Sequence, residues 1–186
     1  MKRKDYLIVA LAPLAVLLIP LVAMRFTREV NWTWSDFAAM WVVLSVPTFL
    51  FRLLVTRPWA SLPYRLGAGL AVVTGFLMTW VNLAVQIIGH ENPANLLYFV
   101  VILIGLIGVG LARFQPAGLA MTAFAAAATT FLVPVVAYWG WPADFSPGVP
   151  QVFMLNGGFV LMFAGAGLLF RRAASQPIGS GSTASA

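Results

Sequence analysis

The chain has 186 residues, 61% of them apolar and only 9% charged, with a formal net charge of +6 and no cysteine. A soluble domain is nearer half apolar and a quarter charged, so this composition excludes a water-covered globule and makes the bilayer the expected solvent. The missing cysteines exclude disulfides, thiolate metal sites and cysteine nucleophiles. The basic residues stand at the ends of apolar runs, where they would meet lipid headgroups, so the positive balance speaks for a membrane and against nucleic acid.

A basic start, residues 1–5, leads into a first apolar span over 6–24. This run is long for the apolar part of a signal peptide, and no small-x-small cleavage site precedes Arg25. It is expected to be a retained membrane helix, kinked at Pro13 and Pro20. A polar loop with Trp32 and Trp34 precedes a second span over 36–55. Only 15 residues separate Asp36 from Arg52, about 22 Å of helix, so Asp36 is expected at the interface and Arg52 is expected to snorkel. The third span covers 64–89 and closes in a tight turn at His90. Asn92-Pro93 then reads as N-cap and first helical residue of a fourth span over 93–112. Arg113-Phe114-Gln115-Pro116 connects it to an alanine-rich fifth span, 117–138, with Pro134 near its end. A proline-rich loop holding Trp139 and Trp141 precedes the sixth span, 151–170, which stops at Arg171-Arg172. The small, polar tail 173–186 is expected to be disordered.

Charge placement orients these spans. With a cytoplasmic N-terminus, the inside receives Lys2, Arg3, Lys4, Arg52, Arg57, Arg65, Arg113, Arg171 and Arg172, and the outside only Arg25 and Arg28. Nine against two is a strong positive-inside bias. The expected fold is all-α, a single transmembrane domain over 1–172 in which six helices form an antiparallel bundle, both termini cytoplasmic. Tryptophans 32, 34, 139 and 141 would form a belt at the outer interface. Small residues at helical spacing (Gly67, Ala71 and Gly75; Gly108 and Ala112; Ala123 and Ala127) mark where helices approach closely.

Chemistry is sparse. No Gly-x-Ser-x-Gly elbow, His-Glu-x-x-His pair or phosphate loop is present, and no charged residue falls in the middle of a span, which argues against proton coupling. Asn82, Gln86 and His90, spaced four apart, would stack on one helix face, and Asn156 lies near the same predicted outer end. Two readings are open for this set: interhelical hydrogen bonding that serves packing, or a pocket for a small neutral solute. His90 is the only histidine, too few ligands for a metal centre. Asn92-Pro93-Ala94 matches the aquaporin signature, but aquaporins carry two copies on dipping half-helices, and helix capping accounts for this one.

The stretches Trp80-Val81-Asn82-Leu83-Ala84-Val85, Ile87-Ile88-Gly89 and Glu91-Asn92-Pro93-Ala94-Asn95-Leu96 resemble a family of small bacterial membrane proteins of unassigned function. The resemblance extends to the basic start, Glu29-Val30-Asn31-Trp32-Thr33, Ala112-Arg113-Phe114-Gln115-Pro116 and the Phe170-Arg171-Arg172 end. The family pattern has glycine at Gln86 and serine at His90. The resemblance implies a bacterial inner membrane and no catalytic residues. The expectation is therefore a multi-pass inner-membrane protein without cofactor or enzymatic activity, an accessory or structural component whose partners are the bilayer and other membrane proteins. The alternative is a small neutral-solute channel, transporter or ligand-binding bundle.

Overall fold

A computed structural model describes residues 3–27, 31–89, 92–141 and 148–176. The described chain is all-helical: α1 (Arg3–Phe26), α2 (Trp34–Val55), α3 (Leu62–Val85), a 3-10 turn (Pro93–Leu96) running into α4 (Leu97–Leu111), α5 (Pro116–Gly140) and α6 (Val149–Ala174). Six helices are long and apolar enough to cross a membrane, with the 3-10 turn and α4 counted as one. Proline marks several starts: it stands in the first turn of α3, α5 and α6, where its missing N–H has no intrahelical acceptor to lose. Two boundaries depart by four residues from the sequence-based spans, and the others by fewer. α3 stops at Val85 instead of Gly89, and α6 continues through Arg171 and Arg172 to Ala174. Of the tail expected to be disordered, residues 177–186 lie outside the described residues.

The chain divides into two compact units, Met1–Pro58 and Trp59–Ala186. In the first, α1 remains one helix across Pro13 and Pro20 and buries only Asp5, Pro13 and Leu17. Leu7, Ile8, Leu11 and Leu14 all point outward, an apolar surface that water would penalise by roughly 25 cal/mol per Å². Two polar contacts tie α1 to α2. The Trp41 indole Nε1–H donates to the Ala10 carbonyl at 3.1 Å, and the Arg52 guanidinium pairs with the Asp5 carboxylate. Arg52 therefore does more than snorkel: it neutralises an acid that is only 2% exposed. Asp36, by contrast, sits exposed in the first turn of α2 and accepts the Thr33 main-chain N–H at 2.7 Å, the return half of a capping box.

In the second unit, small residues set the helix spacing. A Cβ at Gly67 would come within 3.2 Å of the Ala166 carbonyl oxygen and 3.3 Å of the Phe170 ring. One at Gly108 would meet the Thr122 methyl at 2.3 Å, and one at Gly118 would meet the Ala112 Cβ at 2.6 Å. Helices that pack backbone against side chain in this way gain close dispersion contacts without help from water. The core draws Met78 from α3, Tyr98 and Val101 from α4, Ala126 and Val133 from α5, and Phe159 from α6. Tyr64, fully buried, donates its hydroxyl to the Phe114 carbonyl at 3.0 Å, and its ring meets Phe170 edge-to-face with centroids 5.5 Å apart.

Two outcomes are expected in detergent unfolding. Removing Arg52 takes the guanidinium partner from a carboxylate that is buried, whereas removing Asp5 leaves an arginine that is 24% exposed and can reach polar surroundings. Arg52→Met should therefore cost roughly 3 kcal/mol and Asp5→Asn only about 1 kcal/mol. The Thr122 hydroxyl is held by the Gly118 carbonyl at 3.0 Å, so this β-branched side chain cannot swing away. Gly108→Ala should cost about 1–3 kcal/mol, and adding Thr122→Ala should recover part of that loss.

Candidate functional site

The last turn of α3 closes when the Gln86 N–H donates to the Asn82 carbonyl at 3.1 Å. Gln86 itself has φ 55°, in the left-handed region, and the helix cannot continue through it. The expected stacking of Asn82 and Gln86 on one helix face therefore fails: Asn82 is buried in the final turn, and Gln86 is the half-buried residue that ends it. His90, the third member, lies outside the described residues.

Beyond Gln86 the chain leaves the helix but does not leave the core. Ile87 and Ile88 are buried, Ile88 completely, and they pack with Met78 and Tyr98. Gly89 turns the backbone at φ 63°, which glycine adopts without a Cβ clash. Buried main chain outside a helix must find other partners for its N–H and C=O groups. Asn95 supplies them. Its Oδ1 accepts the Ile88 N–H at 3.0 Å, and its Nδ2 donates to the carbonyls of Ile88 at 3.2 Å and Gly89 at 3.0 Å. The Asn95 main chain is fixed in turn: its N–H donates to the Asn92 carbonyl at 3.0 Å, and its carbonyl accepts Asn82 Nδ2 at 3.1 Å. Asn92 Oδ1 caps the 3-10 turn by accepting the Ala94 N–H at 2.9 Å, as the Asn-Pro pair predicts.

Asn156 docks on the same segment through a different residue. One helical turn beyond Asn95, Tyr98 donates its hydroxyl to Asn156 Oδ1 at 3.0 Å, and Asn156 Nδ2 donates to the Val152 carbonyl at 2.9 Å. Asn156 is 1% exposed. Asn82 and Asn156 are thus gathered to 95–98, each on its own partner. Two polar atoms in this region are buried and have no hydrogen-bond partner: Asn82 Oδ1, an acceptor, and Asn92 Nδ2, a donor. The described members of the set are amides and a phenol, which offer hydrogen bonds. The only His, Cys, Asp or Glu residues among those described are Asp5 and Asp36, and no group of three that could hold a metal ion occurs among the described residues.

Asn95 and Tyr98 are the site residues that composition and spacing did not single out. The signal available was the pair of asparagines flanking Pro93-Ala94: one caps, and the second is too polar for the start of a helix this apolar unless something inside the fold needs it. Among the described residues, fold and site together define an all-helical chain with six potential membrane spans and an amide-braced junction between α3 and α4. No family model, curated protein or solved structure matches the chain.

Truncating Asn95 would leave three buried main-chain groups unpaired. Asn95→Ala is expected to lower unfolding stability by about 2–3 kcal/mol. Amide exchange at 86–89 should rise with it, while exchange within α6 stays unchanged.

Proposed function

We propose that the chain is a multi-pass protein of the bacterial inner membrane, an antiparallel bundle with both termini cytoplasmic, and that it works without enzymatic chemistry. It serves as an accessory or structural component that meets other membrane proteins through its helix faces. The observation that carries this reading is where the buried amides direct their hydrogen bonds. Asn95 braces the main chain of Ile88 and Gly89, Asn82 holds the Asn95 carbonyl, and Asn156 holds Tyr98. These groups stabilise a junction and turn few polar atoms toward any visitor.

The topology draws support from the order of contacts. Asp5 pairs with Arg52 and Ala10 with Trp41. Gly67 abuts Phe170 and Gly165 abuts Leu70, while Gly108 abuts Thr122 and Ala112 abuts Gly118. In each set the later residue of one helix meets the earlier residue of the other. The nine-to-two distribution of basic residues supports cytoplasmic termini. Trp34 and Trp139, both strongly exposed at helix ends, fit an interfacial belt.

A second reading, a site for a small neutral solute, is favoured by one specific observation, the unpartnered Asn82 Oδ1 and Asn92 Nδ2. Substitution separates the two. In a strain lacking the protein, Asn82→Leu and Asn156→Leu chains present at wild-type membrane levels should restore the missing trait as fully as the native chain. Loss of rescue with folding intact would transfer the assignment to solute binding. Reporter enzymes fused after Ala186 and within 142–147 should report cytoplasmic and external positions respectively.

A further inference from the structure

The second unit, Trp59–Ala186, contains four basic residues, Arg65, Arg113, Arg171 and Arg172, and no lysine. All four are exposed, and all four stand at the same end of the unit. Tyr64 fixes this placement. Its hydroxyl bonds the Phe114 carbonyl in the turn between α4 and α5, and its ring rests on Phe170 near the end of α6. Arg65, Arg113 and Arg171 are the immediate chain neighbours of those three contacting residues, and Arg172 follows directly. The turn is set by consecutive left-handed residues, Arg113 at φ 47° and Phe114 at φ 64°, so Arg113 projects from a sharply reversed backbone.

A helix dipole accounts for only two of the four arginines, and no ion pair among the described residues of the unit accounts for any of them. Arg171 and Arg172 lie in the last turn of α6, where a cation complements the dipole. Arg65 lies in the first turn of α3, where a cation is disfavoured. It is nonetheless held in place, its Nε–H donating to the Ala60 carbonyl at 2.9 Å. The described residues of this unit include no aspartate or glutamate. The two acids in its sequence, Glu91 and Asp144, belong to the 86–92 and 141–148 linkers, which join the other ends of these helices. Beside Arg65, the Ser61 hydroxyl at the N-cap of α3 is shielded from solvent and makes no hydrogen bond.

We propose that this arginine group, floored by Tyr64 and Phe170, is a binding site for the phosphodiester headgroup of an anionic phospholipid. Guanidinium forks match phosphate oxygens two at a time, and basic clusters between the ends of membrane helices are suited to acidic headgroups. The acyl chains would lie along the apolar outer faces of α3 and α4, where Leu66, Val73 and Leu103 are exposed. The proposal rests on reading these helices as membrane spans, not on the assignment of an accessory role.

The test uses the full chain in nanodiscs of phosphatidylcholine alone or with added phosphatidylglycerol or cardiolipin. Thermal unfolding and native mass spectrometry report stabilisation and retained lipid. Anionic lipid should raise the melting temperature of the wild type and survive on it as bound adducts. The variant carrying Arg65→Gln, Arg113→Gln, Arg171→Gln and Arg172→Gln should bind at least about tenfold more weakly. Arg25→Gln, in the first unit, should bind like the wild type. A four-fold Arg→Lys variant keeps the charge that governs insertion and should bind more weakly than the wild type through loss of the forked contacts. Equal lipid stabilisation of the wild type and the four-glutamine variant, with the variant folded in phosphatidylcholine, would overturn the proposal. So would inorganic phosphate or an acidic peptide reproducing the whole effect in phosphatidylcholine.

Discussion

A non-helical stretch of main chain inside an apolar core has no water to bond with, and the second unit is organised around solving that problem at one place. Between Gln86 and Asn92 the backbone leaves α3, carries Ile87 and Ile88 into the core, and re-enters a helix at Pro93. Each N–H and C=O on that path would cost several kcal/mol if left bare in hydrocarbon. A single side-chain amide, Asn95, takes up three of them, and Asn82 and Asn92 hold Asn95 and its turn in register. An asparagine is the right size for this work. It presents a donor pair and an acceptor with the same hydrogen-bonding pattern as a peptide group, it is uncharged, and its short side chain gives up little rotamer freedom.

The choice of neutral amides has a further effect. Tyr98 with Asn156, 58 positions apart, and Asn82 with Asn95, 13 apart, connect separate helical elements without burying a charge. An ion pair at the same depth would carry a desolvation cost that its own attraction repays only with good geometry. Among the described residues one ion pair occurs, Asp5 with Arg52 in the first unit. There the arginine keeps contact with the surroundings while its partner does not.

Much of the fold is legible from local pattern. The six apolar runs, the prolines that open α3, α5 and α6, and the glycines that seat Thr122, Ala112 and Phe170 are all written within a turn or two of where they act. The end of α3 has no such local mark. Ile87 and Ile88 extend the apolar run that builds the helix, and hydrophobicity is the same whether a buried residue lies in a helix or a loop. Only the backbone angle at Gln86 separates the two, and glutamine gives no warning of it. The Asp5–Arg52 pair and the role of Asn95 were hidden for another reason. They depend on which residues meet across the fold, and Asp5 and Arg52 are 47 positions apart. Spacing suggested a shared face for Asn82 and Gln86, whereas the contacts place Asn82 and Asn156 on the two ends of 95–98.

The Tyr64 junction has a consequence for the order in which this chain matures. Both of its partners lie downstream: Phe114 emerges from the ribosome 50 residues later, and Phe170 later still. Until then α3 carries a phenol at its leading end with neither its acceptor nor its aromatic neighbour in place. The membrane edge, with water and headgroups to hand, is where such a residue can wait without penalty. Closure of that end of the second unit thus falls after synthesis of α6, and a nascent chain halted short of Phe170 would hold α3, α4 and α5 with the Tyr64 acceptor made but its aromatic neighbour still missing.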